Sequence, residues 1–162
     1  MAETTVSGAT HPILENDYAS EWMGIEVLAI SDGHATIRMT LRQEMLNGFG
    51  MAHGGMIFAF GDTAFALACN PIHPAPGEES TITVASGVDI NFLKPAFRGQ
   101  VLTAVADRRS SAGRSGLYDI QIFAADAGTP GSGGRPGTET QPGSPGELIA
   151  EFRGRSRTIP KK

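Results

Sequence analysis

The alternation of polar and apolar positions predicts a hairpin near the start of the chain. Residues 34–41 alternate between polar and apolar side chains, which is the period of a half-buried strand. The apolar segment GIEVLAI precedes them, and Ser31-Asp32-Gly33 between the two has the composition of a tight turn. We therefore expect the two segments to pair as strands.

Four further strand-like runs occupy the second half of the chain: Thr81–Leu93, Gln100–Asp107, Gly116–Ala125 and Glu147–Thr158. In the first run, the two-residue period places four residues on one face: Ser86, Val88, Ile90 and Phe92. Between the last two runs, residues 126–146 are rich in Gly and Pro and show no periodicity. That composition predicts a flexible loop within a hairpin.

The N-terminal region shows a helical pattern. Leu14, Tyr18 and Trp22 recur at the spacing of one helical face. Pro12 suits a first helical turn, and Gly24 is a typical end of a helix. We predict one short helix between these two residues.

Residues 55–70 form a second helical segment that is apolar on every side. A helix of this kind must be wrapped by other elements. It is shorter than the roughly 20 apolar residues that span a bilayer, and Asp62 interrupts it. We predict that this helix is the buried axis of the fold.

The order of these elements predicts the fold class. A helix, two strands, a buried helix and four strands favour an α+β fold in which an antiparallel β-sheet is wrapped around a central α-helix. A length of 162 residues suits one domain. We therefore predict a single domain over residues 1–162, with a flexible leader at 1–10 and the flexible loop at 126–146.

Composition and charge exclude several functions. The net charge is −4, whereas non-specific nucleic-acid binding needs a basic surface. The single cysteine excludes an intramolecular disulfide, and MAETTVSGAT lacks the features of a signal peptide. We expect a cytoplasmic protein that binds neither nucleic acid nor membrane. No cofactor is predicted, because no dinucleotide fingerprint or P-loop follows a strand.

Two consecutive glycines, Gly54 and Gly55, begin the apolar helix. Their N–H groups are unshielded by side chains, and the helix dipole favours a negative charge nearby. Both are therefore candidates for binding a substrate oxygen as it becomes negative. The alternative is a tight turn that needs glycine for its backbone angles alone.

Asp62 lies in the middle of the apolar helix and would be costly to bury without a partner. Burial would raise the pKa of its carboxyl, which suits a general base or a nucleophile. The small residues Ala59, Ala66 and Cys69 share its face, so a neighbouring chain or ligand can approach closely. The alternative is a structural aspartate paired with an arginine or with backbone amides.

Three other residues near the helix carry weaker signals. A single histidine before a helix, here His53, is most often a structural hydrogen-bonding group, and Asn47 followed by Gly signals a turn. Cys69 has no local base or cation, which favours a small core residue over a nucleophile. No third ligand lies near His53 and Asp62, so no metal site is predicted.

The segment MLNGFGMAHGGMIFAFGDTAFALACN resembles the phenylacetate-degradation (PaaI-like) thioesterases of the hotdog-fold superfamily. The resemblance extends to HPILENDYASEWMGIEV, DINFLKPAFRGQVLTAVAD, GLYDIQI and FRGRSRTI. It implies hydrolysis of phenylacetyl-CoA or ring-hydroxylated phenylacetyl-CoA. The hotdog fold agrees with the element order above.

The resemblance also implies roles for individual residues. Asp62 matches the catalytic carboxylate, and the Gly54 N–H matches the oxyanion donor. Asn47 matches a residue that orients the thioester or water, and His53 matches the histidine that supports this loop. The family's active sites lie between two subunits of a homo-oligomer, and the family implies a tetramer built as a dimer of dimers.

One segment departs from the family's pattern, and the roles of two residues are left open. The loop at 126–146 is longer than the family's usual hairpin. Arg114 and Ser115 lie in a predicted turn and are candidate contacts for the CoA phosphates or pantetheine arm, because arginine suits phosphate. An exposed turn without such a role is the alternative.

Two other functions stay open at this stage. One is a hotdog hydratase or dehydratase acting on acyl thioesters, in which a His–carboxylate pair moves protons. The other is a non-catalytic acyl-CoA-binding module that uses the same cleft. The first predicts double-bond chemistry without thiol release, and the second predicts binding without turnover.

Overall fold

The computed structural model describes residues 11–128 and 145–162. They form six strands: β1 (Glu26–Ser31), β2 (His34–Thr40), β3 (Thr81–Phe92), β4 (Val101–Ala112), β5 (Ser115–Ala125) and β6 (Glu147–Pro160). The helices are α1 (Tyr18–Met23) and α2 (Gly54–Cys69), with short 3₁₀ turns at Pro12–Leu14 and Gln43–Met45. All six strands belong to one sheet in the order β1-β2-β4-β5-β6-β3, and every pair is antiparallel.

The sheet curls around α2, which confirms the predicted α+β architecture. Alternate residues of β2, β4 and β5 are buried against the helix, as the two-residue period requires. The largest buried side chains come from both layers: Phe60 and Phe65 on α2, Phe152 on β6, and Ile37 and Met39 on β2. The core therefore lies between the concave face of the sheet and the helix.

The predicted hairpins form with the expected partners. β1 pairs with β2 through a turn in which Gly33 has a φ of 71°, a conformation that glycine adopts without strain. β5 pairs with β6 across the predicted long loop. Of that loop, residues 129–144 lie outside the described residues, as does the predicted leader at 1–10.

In strand β3, the predicted position of Ser86 on the same face as Val88 and Ile90 is wrong. The ladder between β3 and β6 shifts register between Ala85 and Gly87, so Ser86 is the extra residue of a β-bulge and is exposed. A bulge reverses the alternation of side chains along a strand. Val88 and Ile90 pack against the core as predicted, but Ser86 does not continue their face.

The N-terminal region differs from the single predicted helix. The 3₁₀ turn ends at Leu14, and Asn16 then has a φ of 62°, which a continuous helix cannot contain. Helix α1 starts anew with Asp17 as its N-cap. Tyr18 and Trp22 are largely exposed, so the predicted apolar stripe is not buried here.

This N-terminal segment packs across α2. The buried His11 ring bonds the backbone oxygen of Asn70 through Nε2 at 2.8 Å, just beyond the C-terminal end of the helix. Asn70 itself bonds the backbone N–H and C=O of Thr83 on β3. The side of α2 that the sheet leaves open is thus partly covered by the chain's own N-terminal segment. Within the described ranges, no helix is long and apolar enough to cross a membrane.

Candidate active site

The N-terminus of α2 presents a backbone N–H that has no partner among the residues the structure describes. His53 is the N-cap, and its Nδ1 accepts a hydrogen bond from the Gly55 N–H at 3.0 Å. The Gly54 N–H donates to no atom of residues 11–128 or 145–162. Gly54 is therefore the free donor of the two candidate glycines, whereas the Gly55 N–H is held by the histidine.

His53 is fixed by its backbone as well as its ring. Its N–H donates to the Met45 oxygen at 2.8 Å, and its C=O accepts from Met56 and Ile57. Because Nδ1 accepts the bond from Gly55, the ring carries its proton on Nε2. The geometry thus gives His53 a capping role, in agreement with the interpretation of the sequence.

Asn47 organises the loop that precedes α2. Its Oδ1 accepts from the Phe49 and Met51 N–H groups at 2.9 and 3.2 Å, and its own N–H donates to the Met51 oxygen. Its Nδ2 donates to no other described atom. This half-buried amide is thus anchored by its oxygen, while its two N–H donors remain available next to the start of the helix.

Asp62 lies two turns along α2 and is half-buried. In the described part of the chain its carboxylate makes no hydrogen bond or ion pair. Burial raises the pKa of the Asp62 carboxyl above its ordinary value. The predicted structural alternative, in which an arginine or backbone amides pair with Asp62, is therefore not what this chain shows.

Asp62 faces a cleft between α2 and the N-terminal segment, with a volume of about 210 Å³. Its walls combine apolar and polar side chains: Ile13, Leu14, Asp17, Ala19, Ser20, Met23, Ala59, Thr63 and Ala66. The small residues Ala59 and Ala66 beside Asp62 leave room for a close neighbour; the approach of a second chain or a ligand stays a prediction. The neighbour in the described structure is the chain's own N-terminal segment.

Two linked hydrogen bonds lie beside this cleft, and the second connects the N-terminal segment with α2. The sequence did not predict them. The Ser20 Oγ donates to Asp17 Oδ2 at 2.7 Å and lies 3.1 Å from Thr63 Oγ1. Asp17 three residues before Ser20 is a recognisable N-cap signal. The contact with Thr63, 43 residues further along the chain, has no local signal.

Cys69 does not have the properties of a catalytic nucleophile. Burial raises the pKa of the Cys69 thiol to about 12, so it is not a thiolate nucleophile at neutral pH. No group of three or more His, Cys, Asp or Glu side chains that could hold a metal ion occurs among the residues described.

Arg114 and Ser115 lie apart from the start of α2 within one chain. They form the exposed β4–β5 turn, where the Arg114 oxygen accepts from the Thr158 N–H. The C-terminal end of α2 is bonded to Thr83, at the start of β3, and this end of the sheet also holds the β4–β5 turn. The structure thus brings His53, Gly54 and Gly55 together at the start of α2, with Asn47 in the loop before them, Asp62 two turns along the helix and the β4–β5 turn near its far end.

Phe92 is a second residue that the sequence did not assign to the site. A Cβ placed on Gly54 would lie 3.2 Å from Phe92 Cζ, so the ring lies against the start of the helix. The ring is 53% exposed. An exposed aromatic ring beside a free N–H gives the site an apolar wall.

The family model of the thioesterase superfamily matches residues 49–130. This range contains the last part of the loop before α2, the whole of α2 and strands β3 to β5.

Two known proteins show the extent of the similarity. The chain is 40% identical over 112 residues to the acyl-coenzyme A thioesterase PaaI of Escherichia coli, which is 69% of this chain and 75% of that protein. The structure of the E. coli PaaI protein from the phenylacetic acid degradation operon superposes with a TM-score of 0.71 and 34% identity, over 91% of this chain and 88% of that one.

A third match comes from a thermophile. A variant of the phenylacetic acid degradation protein PaaI from Thermus thermophilus superposes with a TM-score of 0.67 and 26% identity. The match covers 87% of this chain and 98% of that protein. Both superpositions cover 87% or more of this chain, so the overall fold is shared with both structures.

Proposed function

Because the chain belongs to the thioesterase superfamily, as a PaaI-like member with the hotdog fold, we propose that it is an acyl-CoA thioesterase. Its proposed substrates are phenylacetyl-CoA or ring-hydroxylated phenylacetyl-CoA. The observation that carries this proposal is the half-buried Asp62 carboxylate, which faces a cleft without a hydrogen-bonding partner in the described chain. A buried carboxylate of raised pKa and no structural partner is typical of a catalytic group.

In the proposed reaction, the thioester carbonyl oxygen accepts a hydrogen bond from the Gly54 N–H. The helix dipole of α2 adds stabilisation as this oxygen becomes negative. The Asp62 carboxylate either takes a proton from water as the water attacks the carbonyl carbon or attacks that carbon itself. The carbon–sulfur bond then breaks, CoA leaves as the thiolate and is protonated, and the acid is released. In the second case, water hydrolyses the resulting anhydride.

We propose that the oxyanion donor and the carboxylate each contribute to the rate enhancement. One oxyanion donor contributes a factor of about 10²–10³, and a positioned general base contributes about 10²–10⁴. His53 supports the donor by holding the first turn of α2, and the free Nδ2 of Asn47 is placed to orient the thioester or the water.

The spacing of Gly54 and Asp62 supports an active site between two copies of the chain. They lie eight residues apart on α2, which is about 12 Å along the axis at 1.5 Å per residue. Reacting groups must come within about 3–3.5 Å. One carbonyl therefore cannot contact both groups of the same chain, and we propose that Gly54 of one subunit faces Asp62 of another.

Strand β3 offers a surface for that contact. It is an edge strand of 12 residues with no strand beyond it in the described sheet, and a long open edge is a ready template for another strand. Apolar side chains are exposed near its end, among them Phe92 and Leu93. We propose a homodimer formed on this edge, and a tetramer built as a dimer of dimers.

The β4–β5 turn is the proposed contact for the CoA moiety. Arg114 is exposed and forms no ion pair within the described ranges. A free guanidinium can hold a phosphate through two hydrogen bonds. Ser115, adjacent in the same turn, is the second proposed contact.

The proposal is tested by thiol release from a panel of acyl-CoAs: phenylacetyl, hydroxyphenylacetyl, benzoyl, and short and long aliphatic esters. We expect the wild-type protein to release CoA fastest from the arylacetyl esters. Asp62→Asn removes the base or nucleophile while keeping the size of the side chain. The release rate should then fall by about 10²–10⁴.

The matched control is Asp107→Asn on the outer face of β4, where the carboxylate bonds only His34 among the described residues. This variant should retain wild-type turnover. Equal turnover by Asp62→Asn and the control would refute the assignment of Asp62. Saturable CoA binding without thiol release from any ester would refute the thioesterase activity itself.

A further inference from the structure

A line of three hydrogen-bonded side chains lies on the outer face of the sheet, on the side away from α2. The His34 Nδ1 lies 2.7 Å from Asp107 Oδ1, and the His34 Nε2 lies 3.0 Å from Thr36 Oγ1. His34 and Thr36 are alternate residues of β2, and Asp107 on β4 is the cross-strand partner of His34. Alternate residues and cross-strand partners share one face of a sheet. The pairing of β2 with β4 therefore holds the three groups in line.

The partners of the His34 ring decide which nitrogen carries its proton. A carboxylate can only accept hydrogen bonds, so Nδ1 donates to Asp107. In the neutral ring, Nε2 then has a lone pair and accepts the hydrogen of the Thr36 hydroxyl. This order of carboxylate, imidazole and hydroxyl is the arrangement that activates a hydroxyl for nucleophilic attack. It is recognised by its geometry and not by the positions of its members in a sequence.

The three groups are accessible to a small molecule. The side chains of His34 and Asp107 are 21% and 44% exposed, and Thr36 is half-buried. The cross-strand partners of Thr36 are Ala29 on β1 and Val105 on β4. They provide apolar surface on both sides of the hydroxyl, against which a short acyl chain can lie.

A cation follows the hydroxyl on the same face. Arg38 comes two residues after Thr36 on β2, which is about 6–7 Å along the strand. Its Nε and Nη2 hold Glu26, whereas its Nη1 has no partner in the described ranges. A guanidinium N–H in this position is suited to stabilise a carbonyl oxygen that becomes negative when the hydroxyl attacks.

We propose that Thr36 is a nucleophile that accepts short acyl groups from activated esters, with His34 as its general base and Asp107 as the positioning residue. Thr36 Oγ1 forms a bond to the acyl carbon while its proton passes to His34 Nε2. The bond between that carbon and the leaving oxygen breaks, and His34 gives the proton to the leaving group. The product is an acyl ester of Thr36. This site lies on the opposite face of the sheet from Asp62 and does not depend on the proposed thioesterase activity.

The test uses para-nitrophenyl acetate as the acyl donor and Asp62→Asn as the starting protein, so that the proposed thioester site does not consume the probe. We expect peptide mass spectrometry to locate an acetyl group on Thr36. Thr40 is the matched internal control, since it is exposed on the same face of β2 and its hydroxyl has no partner among the residues described. It should stay unmodified. His34→Gln should lower the rate of acetylation at Thr36 by about 10²–10⁴.

Asp107→Asn tests the positioning role. Asparagine has nearly the same size, but its N–H donates to Nδ1 and favours the ring proton on Nε2. We expect the NMR shifts of the His34 ring nitrogens to report this change of tautomer and acetylation of Thr36 to become slower. Acetylation at an unchanged rate would overturn the role of Asp107. Equal acetylation of Thr36 and Thr40, or acetylation of Thr36 that does not respond to His34→Gln, would overturn the whole inference.

Discussion

At the scale of single residues, two neighbouring glycines at the start of α2 differ in whether their backbone N–H is hydrogen-bonded. His53 takes the Gly55 N–H, and the Gly54 N–H is left without a partner in the part of the chain described. Gly54 is the first residue of the helix, a position where an N–H has no intrahelical acceptor. The proposed oxyanion donor is therefore a consequence of where the helix begins and of which N–H the histidine caps.

The Gly54 donor is tested by removing a single hydrogen-bonding group. Proline is favoured at the first helical position, where its missing N–H costs nothing in the helix. The preceding His53 has φ −64° and ψ 131°, a conformation compatible with a following proline. We expect Gly54→Pro to fold and to lose about 10²–10³ in kcat for thiol release.

Gly54→Ala is the control, because it keeps the N–H and adds only a Cβ. That Cβ would lie 3.2 Å from the exposed Phe92 ring, which can shift. Alanine should therefore retain much more activity than proline. Similar losses in the two variants would show that bulk at this position, and not the lost N–H, accounts for the effect.

At the scale of elements, a glycine on β6 lets α2 approach the sheet closely. A Cβ on Gly154 would lie 2.7 Å from Phe65 Cε1 and within 3.0 Å of two further atoms of that ring. Phe65 is 1% exposed, and its ring also contacts Tyr118 and Phe152. The ring has no free space to enter, so the distance between α2 and β6 depends on the missing side chain.

Gly154→Ala should therefore destabilise the protein by about 1–3 kcal/mol, the usual cost of overpacking a core. The free energy of unfolding in urea measures this effect. Gly87→Ala on β3 is the matched control, since its Cβ would meet only the end of the flexible Arg155 side chain. If both variants unfolded at the same urea concentration, the close packing of α2 on β6 would not limit stability.

At the scale of the whole molecule, one chain contains both proposed catalytic groups at a distance that one carbonyl cannot bridge. The proposed dimer places the Gly54 N–H of one subunit opposite Asp62 of the other. A dimer of one subunit that lacks the Asp62 carboxylate and one that lacks the Gly54 N–H would then still contain one intact site.

Co-expression of Asp62→Asn and Gly54→Pro chains with two different tags tests this arrangement. Each variant alone should be nearly inactive. Hybrid oligomers purified through both tags should recover thiol release, because the intact Gly54 of the first chain meets the intact Asp62 of the second. Hybrids that stay as inactive as the parents would mean that both groups act within one subunit.

Much of the fold was determined by the local pattern of the sequence. Alternation, apolar runs and turn signals in the sequence predicted segments that match the six strands of the described sheet, and the apolar run located α2 to within one residue at its start. The motif around Asn47, His53, Gly54 and Asp62 also predicted the part of the chain in which we propose the site. These features depend on neighbours along the chain, and local periodicity reports them directly.

Only the tertiary structure decided the rest. The predicted N-terminal helix breaks at Asn16. The parts on both sides of the break pack against α2 and its C-terminal end, because Ser20 meets Thr63 and His11 meets Asn70 far along the chain. The bulge at Ser86 is set by register against β6. The cleft beside Asp62 likewise depends on how distant residues pack, which no local period of the sequence encodes.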